Sequence, residues 1–489
     1  MPVRSRRVWG LSLTAVCTVA VGVTVAMSSS PEPSGAGAAS AAPAKSSAAG
    51  SAAPSAAAAA GTQAALAGQS STSAGSAPAS RTVAYAGHSF QIPADWPVTD
   101  LSADPTACVR LDQHVVYLGT PSPDMKCPAQ PVGRPAGALL ISSAPAATGT
   151  SLVQNTASHT ITATAPGVTV EASYGDDPSE VLGVLGSAGL AAGPSQAALA
   201  TPSATGPAAA PADPVPPGSA GRAAVAATTG PTTFNMAGLG FDACTAPSAA
   251  AMQAWGASPF TTVGVYIGGA DRACLQPNLT AAWVAQQAAA GWHFLPLYVG
   301  PQALYSEITA PQTQAVQAAD DAVQQAAALG FTPGSVLYYD LEAYPAADSA
   351  TAVAFMSAWT QEIHNRGYLS GIYSSENSGI DDLIANHGTI AEPDVVDVAN
   401  WNGQADSDPG SDPSNYWAGR RVHQFLGGSD DSPTYGGYTI NIDQDYASLV
   451  ATQCDMLVVP GSSSVSGPST PEGNPVLTPP IGGCVASDR

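Results

Sequence analysis

The stretch Ser335-Val336-Leu337-Tyr338-Tyr339-Asp340-Leu341-Glu342 decides the fold reading. An apolar run of strand formers ends in two carboxylates at DxE spacing. Side chains two apart on a strand share a face, so Tyr338, Asp340 and Glu342 point the same way, with Glu342 nearest the strand end. The Ala-rich stretches on either side, Gln312–Leu329 and Ser349–Arg366, carry apolar residues at helical spacing. Gly330 and Gly367 follow them where C-cap glycines belong.

Outward from this unit the pattern repeats. Strands are expected at Met236–Asp242, Thr262–Gly268, His293–Val299, Ser335–Glu342, Leu369–Ser374, Val395–Trp401, Val422–Leu426 and Tyr438–Asp443. Further helices fall at Leu279–Ala290, closed by Gly291, and at Gly379–His387. Strands and helices in alternation predict an α/β fold, a (β/α)8 TIM-type barrel over residues 233–453. Connections after the sixth and seventh strands are short, so some helices are expected to be missing. An open doubly wound sheet, lacking closure by the eighth strand, is the alternative.

The whole chain has 489 residues, which allows about three domains at roughly 150 residues each. Lys and Arg number 14 against 36 Asp and Glu, a net charge of -22. Phosphate neutralisation needs the opposite sign, so nucleic acid is excluded as a partner. Residues 1–27 read as a secretory signal: Arg4, Arg6 and Arg7 precede an apolar run from Val8 to Ala26. A single membrane anchor is the alternative for that run. Residues 28–80 and 191–232 lack aromatics and are rich in Ala, Ser, Gly and Pro. They read as a disordered spacer and a linker, because such segments bury too little apolar surface to offset ordering entropy. Residues 454–489 form a Ser/Pro/Gly-rich tail.

Residues 81–190 read as a small β-rich domain. Its strands are expected at Thr82–Ala86, Ser89–Ile92, Val115–Gly119, Ala138–Ser142, Thr160–Ala165 and Val168–Tyr174, with one helix in Asp177–Gly189. It holds no cluster of catalytic residue types, and His88 and His114 read as ordinary surface or core residues. After loss of the signal six cysteines remain, an even number that suits disulfides in an exported protein. Pairing of neighbours predicts Cys108–Cys127, Cys244–Cys274 and Cys454–Cys484. No CxxC occurs, and no metal or cofactor is expected.

Catalytic groups of such barrels lie at the C-terminal strand ends. Asp242 ends the first strand, Asp340 and Glu342 the fourth, and Asp443 the eighth. These four are the candidate catalytic residues. Crowded around one low-dielectric mouth, they cannot all ionise, so one keeps its proton and can act as a general acid while others oppose positive charge. Glycoside hydrolysis uses that arrangement. Tyr298, Tyr338, Tyr373, Trp401 and Gln424, on or at the ends of other strands, suit a sugar platform. Asp445 reads as a capping or solvated residue, as do Asp381, Asp382, Asp430 and Asp431. Asp320 and Asp321 read as the solvent face of a helix, and His293 and His364 as core or helix-surface residues. No GxSxG, Walker A or HExxH pattern occurs.

Gly240-Phe241-Asp242, Asp340-Leu341-Glu342 and Asp443 together resemble the secreted glycoside-hydrolase-like barrel domains, which are related to glycoside hydrolase family 25, the lysozyme-type muramidases. The resemblance covers residues 233–453 and leaves out 81–190. It implies Glu342 as general acid, Asp340 as its electrostatic partner, and Asp242 and Asp443 as flanking carboxylates. The implied function is exported hydrolysis of a cell-wall or extracellular polysaccharide, with peptidoglycan as the muramidase substrate. The alternative is a non-catalytic carbohydrate-binding or structural wall protein with a degenerate barrel. A secreted or wall-associated monomer follows, touching membrane only through an uncleaved signal.

Overall fold

The computed structural model describes residues 79–190, 231–408, 410, 415–428 and 431–450. The predicted signal, spacer, linker and tail, and with them the Cys454–Cys484 pairing, lie outside the described residues.

The N-terminal part is a β domain. A hairpin of β1 (Ser80–Tyr85) and β2 (His88–Pro93) precedes β3 (Val98–Asp100), β4 (Val115–Leu118), β5 (Ala138–Ala144), β6 (Ser151–Asn155), β7 (Thr160–Ala165) and β8 (Gly167–Ser173). The last six form one sheet in the order β3-β4-β5-β8-β7-β6, and α1 (Ser179–Ser187) follows. Phe90, Ile92, Trp96, Val116, Leu139 and Leu185 pack into its core. Two strands exceed the expectation, β3 and β6. One has three residues and the other is largely polar, so neither carries an apolar alternation.

The C-terminal part is a closed barrel. Its strands are β9 (Met236–Asp242), β10 (Thr262–Gly268), β11 (His293–Tyr298), β12 (Val336–Asp340), β13 (Leu369–Ser375), β14 (Val395–Ala399) and β15 (Arg420–Leu426). A short hairpin, β16 (Thr434–Tyr435) and β17 (Tyr438–Thr439), leads into β18 (Asp443–Leu449), which closes the ring between β15 and β9. The helices are α2 (Ala249–Trp255), α3 (Ala281–Ala289), α4 (Pro311–Leu329), α5 (Ser349–Asn365) and α6 (Asp381–Ala385). Gly291, Gly330 and Gly367 follow α3, α4 and α5 at positive φ, as expected of helix ends.

The barrel is closed, but the (β/α)8 expectation needs correction. Seven strands run parallel, whereas β18 is antiparallel to both of its neighbours. Tyr438–Asp443 is not the eighth strand; its first residues lie in the hairpin. A parallel strand needs a crossover that returns the chain to the far end of the barrel. No helix separates β15 from β18 among the described residues, so the chain turns back at the mouth and runs down. Asp443 therefore heads the strand that it was expected to end. Inversion of the strand restores Asp443 to the mouth, where it lies opposite Asp242 in the β18–β9 register.

Two apolar layers hold the barrel. Leu295, Leu297, Val336, Tyr338, Val422 and Ala447 fill its interior. Phe241, Trp255, Phe294, Trp359, Ile372 and Val398 pack between strands and helices. The disulfides Cys108–Cys127 and Cys244–Cys274 form as expected. Asp321, expected in solvent, is buried, because this face of α4 meets both β11 and the β domain. It accepts hydrogen bonds from Tyr298 Oη at 2.9 Å and Ser158 Oγ at 2.7 Å. Among the described residues no helix is long and apolar enough to cross a membrane.

Candidate active site

Period-two alternation sends Asp242, Asp340, Asp443 and Asp445 toward the barrel interior, at or just below its mouth. Asp242 is buried and firmly held. Tyr266 Oη on β10 donates to its Oδ1 at 2.5 Å, and Gln424 Nε2 on β15 donates to its Oδ2 at 3.0 Å. The Gln424 amide cannot flip without loss, since its Oε1 accepts from Tyr373 Oη at 3.0 Å and from Trp401 Nε1 at 2.9 Å. Three of the five expected platform residues thus meet at Gln424, which holds the Asp242 carboxylate. Trp401 leaves its ring 57% exposed beside them.

Asp443 accepts from the backbone N–H of Gly428 at 2.8 Å. Gly427 packs between Asp443 and the Trp401 ring, where an added Cβ would overlap both. Across the mouth the chain leaves β12 through Asp340, Leu341 and Glu342. Gln302 braces this exit. Its Nε2 donates to Asp340 O at 2.8 Å, and its Oε1 accepts from Glu342 N at 2.9 Å. Asp340 is fully buried and neither carboxyl oxygen has a hydrogen-bond partner. Glu342 is half-buried at the rim and so open to a ligand.

Crowding and burial set the protonation. Burial raises Asp242 to about 6, against the hydrogen bonds from Tyr266 and Gln424, which lower it. Glu342 is pushed up to about 7 by burial and then by the Asp242 charge. Asp443 rises to about 8 for the same two reasons, with the Gly428 N–H opposing them. Asp340 stays protonated well above the usual carboxylate range, through burial first and Glu342 second. Asp242 is thus the more acidic of the two, because its two donors favour its charge, while burial and that charge favour the proton on Glu342.

Three expectations change. Tyr298 does not face the mouth; it points outward, with its hydroxyl on Asp321 of α4. Tyr338 faces inward but lies below the mouth with no exposure, where its hydroxyl has no partner. Asp445 is neither a cap nor solvated: it is 1% exposed inside the barrel, and both carboxyl oxygens lack partners. Sequence reasoning also missed Asp397, buried on β14, whose carboxyl burial and Asp242 hold well above its ordinary value. Signals for both existed. Asp445 shares a face with Asp443 by the same two-residue rule that groups Asp340 with Glu342, and Asp397 interrupts the run Val395-Val396-Asp397-Val398.

Solved structures with detectable likeness have low identity. Rv2525c, a Tat-secreted protein of Mycobacterium tuberculosis solved with L-tartrate, is 16% identical, with 43% of this chain and 95% of that one covered and a TM-score of 0.33. The modular autolysin LytC of Streptococcus pneumoniae is 14% identical, with 43% of this chain and 46% of that one covered and a TM-score of 0.31. The catalytic domain of the endolysin ply40, from bacteriophage P40 of Listeria monocytogenes, is 14% identical, with 46% of this chain and 98% of that one covered and a TM-score of 0.29. No curated protein matches the chain. A family match begins after β9 and runs into β18: residues 253–447 match the model of the Rv2525c-like, glycoside hydrolase-like domain.

Proposed function

We propose that the barrel mouth is a glycosidase centre of an exported protein, acting on a cell-wall or other extracellular polysaccharide. The observation that carries this reading is the half-buried Glu342, raised to about 7, beside a buried Asp242 raised only to about 6. Between those values Glu342 donates its proton to the departing glycosidic oxygen. The Asp242 carboxylate, held by Tyr266 and Gln424, opposes the positive charge that grows on the sugar ring. Asp443 flanks the pocket, and Asp340 stays neutral beneath Glu342, so it adds no charge that would raise Glu342 further. Tyr373, Gln424 and the exposed Trp401 ring supply the sugar platform. The family match to a glycoside hydrolase-like domain supports the reaction class. The two disulfides fit an oxidising compartment, and the predicted signal fits export.

Reducing-sugar release from purified peptidoglycan and a panel of wall glycans, by the wild type and by Glu342→Gln, tests the assignment. General acid catalysis contributes roughly 10²–10⁴-fold, so the variant should lose at least that with its fold unchanged. Equal release by both proteins would remove Glu342 from the mechanism. Glycan retained by the wild type without release would instead make the barrel a binding module.

A further inference from the structure

Beside the mouth, the β domain and the barrel enclose a cavity of about 530 Å3, within the roughly 300–1,000 Å3 of ligand pockets. The segment 128–135 of the β domain leads into it across the barrel rim. Ala129 N donates to Asn441 Oδ1 at 2.5 Å on one side of the rim, and Gly133 N to Asp271 O at 2.9 Å on the other. Arg134 follows. Its Nε donates to Glu307 Oε1 at 2.8 Å, and its guanidinium lies 5.9 Å from the centre of the Tyr305 ring.

The lining mixes polar and apolar surface, is nearly neutral, and holds two buried polar atoms without partners. Asp271 is 2% exposed, and its Oδ2 has no donor from the rest of the protein. Burial, then its carboxyl neighbour Glu307, push Asp271 up to about 10, so it keeps its proton at neutral pH. His159 stacks on Tyr174, with a buried Nδ1 that has no partner, and burial lowers its pKa, which favours the uncharged ring. Arg134 and Glu307 cancel each other, which leaves Asp176 as the uncompensated charge among these residues. Apart from Asp176, a charged ligand finds no free counter-charge here. A hydroxyl-rich neutral ring finds donors, acceptors and an aromatic wall.

The cavity is also wired to the mouth. Gln302 N donates to Glu307 Oε2 at 3.0 Å, while its side chain braces Glu342. Gln302, itself buried, therefore links Glu307 of the cavity wall to Glu342 at the mouth.

We propose that this interdomain cavity binds a neutral sugar unit of the same glycan whose scissile bond lies at the carboxylate mouth. This rests on the glycan reading of that mouth, and it gives the β domain a part in substrate binding.

The test measures the affinity of the full chain, carrying Glu342→Gln to prevent turnover, for peptide-free peptidoglycan glycan strands of two to ten sugars. Ala157→Trp fills the cavity from the β domain. Asp271→Asn keeps the shape but replaces the proton-sharing carboxyl, and guards against misfolding of the bulky variant. Affinity should rise with strand length in the parent, and the ratio of long-strand to short-strand affinity should fall about tenfold in each variant. An unchanged ratio in both, or no binding of any strand, overturns the cavity site. Length-dependent binding that the variants abolish, together with no glycan release by the wild type, would uphold the cavity and overturn only the catalytic reading.

Discussion

At the residue scale, the site works by difference. Six carboxyl groups crowd one barrel end, yet each has its own protonation. Asp242 has two donors and stays the most acidic of the three that titrate near neutrality; Glu342 has one backbone N–H and rises further; Asp340 and Asp445 have no donors and remain neutral. The proposed roles predict a catalytic optimum between about 6 and about 7, limited on the acid side by Asp242 and on the alkaline side by Glu342. Tyr266→Phe should test this. Loss of the hydroxyl removes a hydrogen bond that favours the Asp242 carboxylate, so its pKa rises. The acid limb of kcat/KM should move to higher pH and narrow the profile. A hydrogen bond to a charged group contributes roughly 1.5–3 kcal/mol, so the rate at pH 6.5 should fall about tenfold or more. An unmoved acid limb would mean that Asp242 does not control it.

At the element scale, the inverted eighth strand is the distinctive device. A hairpin instead of a helical crossover brings the chain back into the barrel from the mouth. Two aspartates, 443 and 445, then line the interior from the top down, next to Asp242. The turn after β15 must pass between Asp443 and Trp401, which leaves room only for glycine at 427. Gly427→Ala should therefore displace both side chains. Overpacking of this kind costs about 1–3 kcal/mol of stability. A shift near 1 Å at a catalytic group can cost about 10²-fold, so activity should suffer more than Tm. Activity within twofold of wild type would show that the turn relaxes without moving Asp443.

At the scale of the whole molecule, buried neutral carboxyls make the fold pH-sensitive in a set direction. Asp242, Glu342, Asp443, Asp340, Asp397 and Asp445 all have folded pKa values raised above their unfolded values. The native state then binds more protons than the unfolded chain above about pH 4, so stability falls as pH rises. Tm should drop by roughly 5–10 °C between pH 5 and pH 8, and Asp445→Asn should flatten that slope and stabilise the protein most at pH 8. Scanning calorimetry across this range checks both. A Tm that rises with pH would mean these carboxyls are ionised in the fold.

The sequence alone determined what is local or periodic. Apolar runs of five to eight residues and Ala-rich helices ending in glycine set the first seven barrel strands and α3 to α5, within a few residues. Period-two alternation from the DxE pair placed Asp340 and Glu342 together, and neighbour pairing found two disulfides within the described residues. Tertiary structure decided the rest. The direction of β18 depends on the missing crossover, which is a matter of path length and not of strand propensity. Asp445 reads as a capping or solvated residue because a lone carboxylate is ordinarily solvated, and Asp397 draws no reading at all; only closure of the ring buries them and sets their protons. Tyr298 needed the helix layer to show which way it points. The cavity between the β domain and the barrel rim joins residues more than a hundred positions apart, such as Arg134 and Glu307, and no local pattern encodes that meeting.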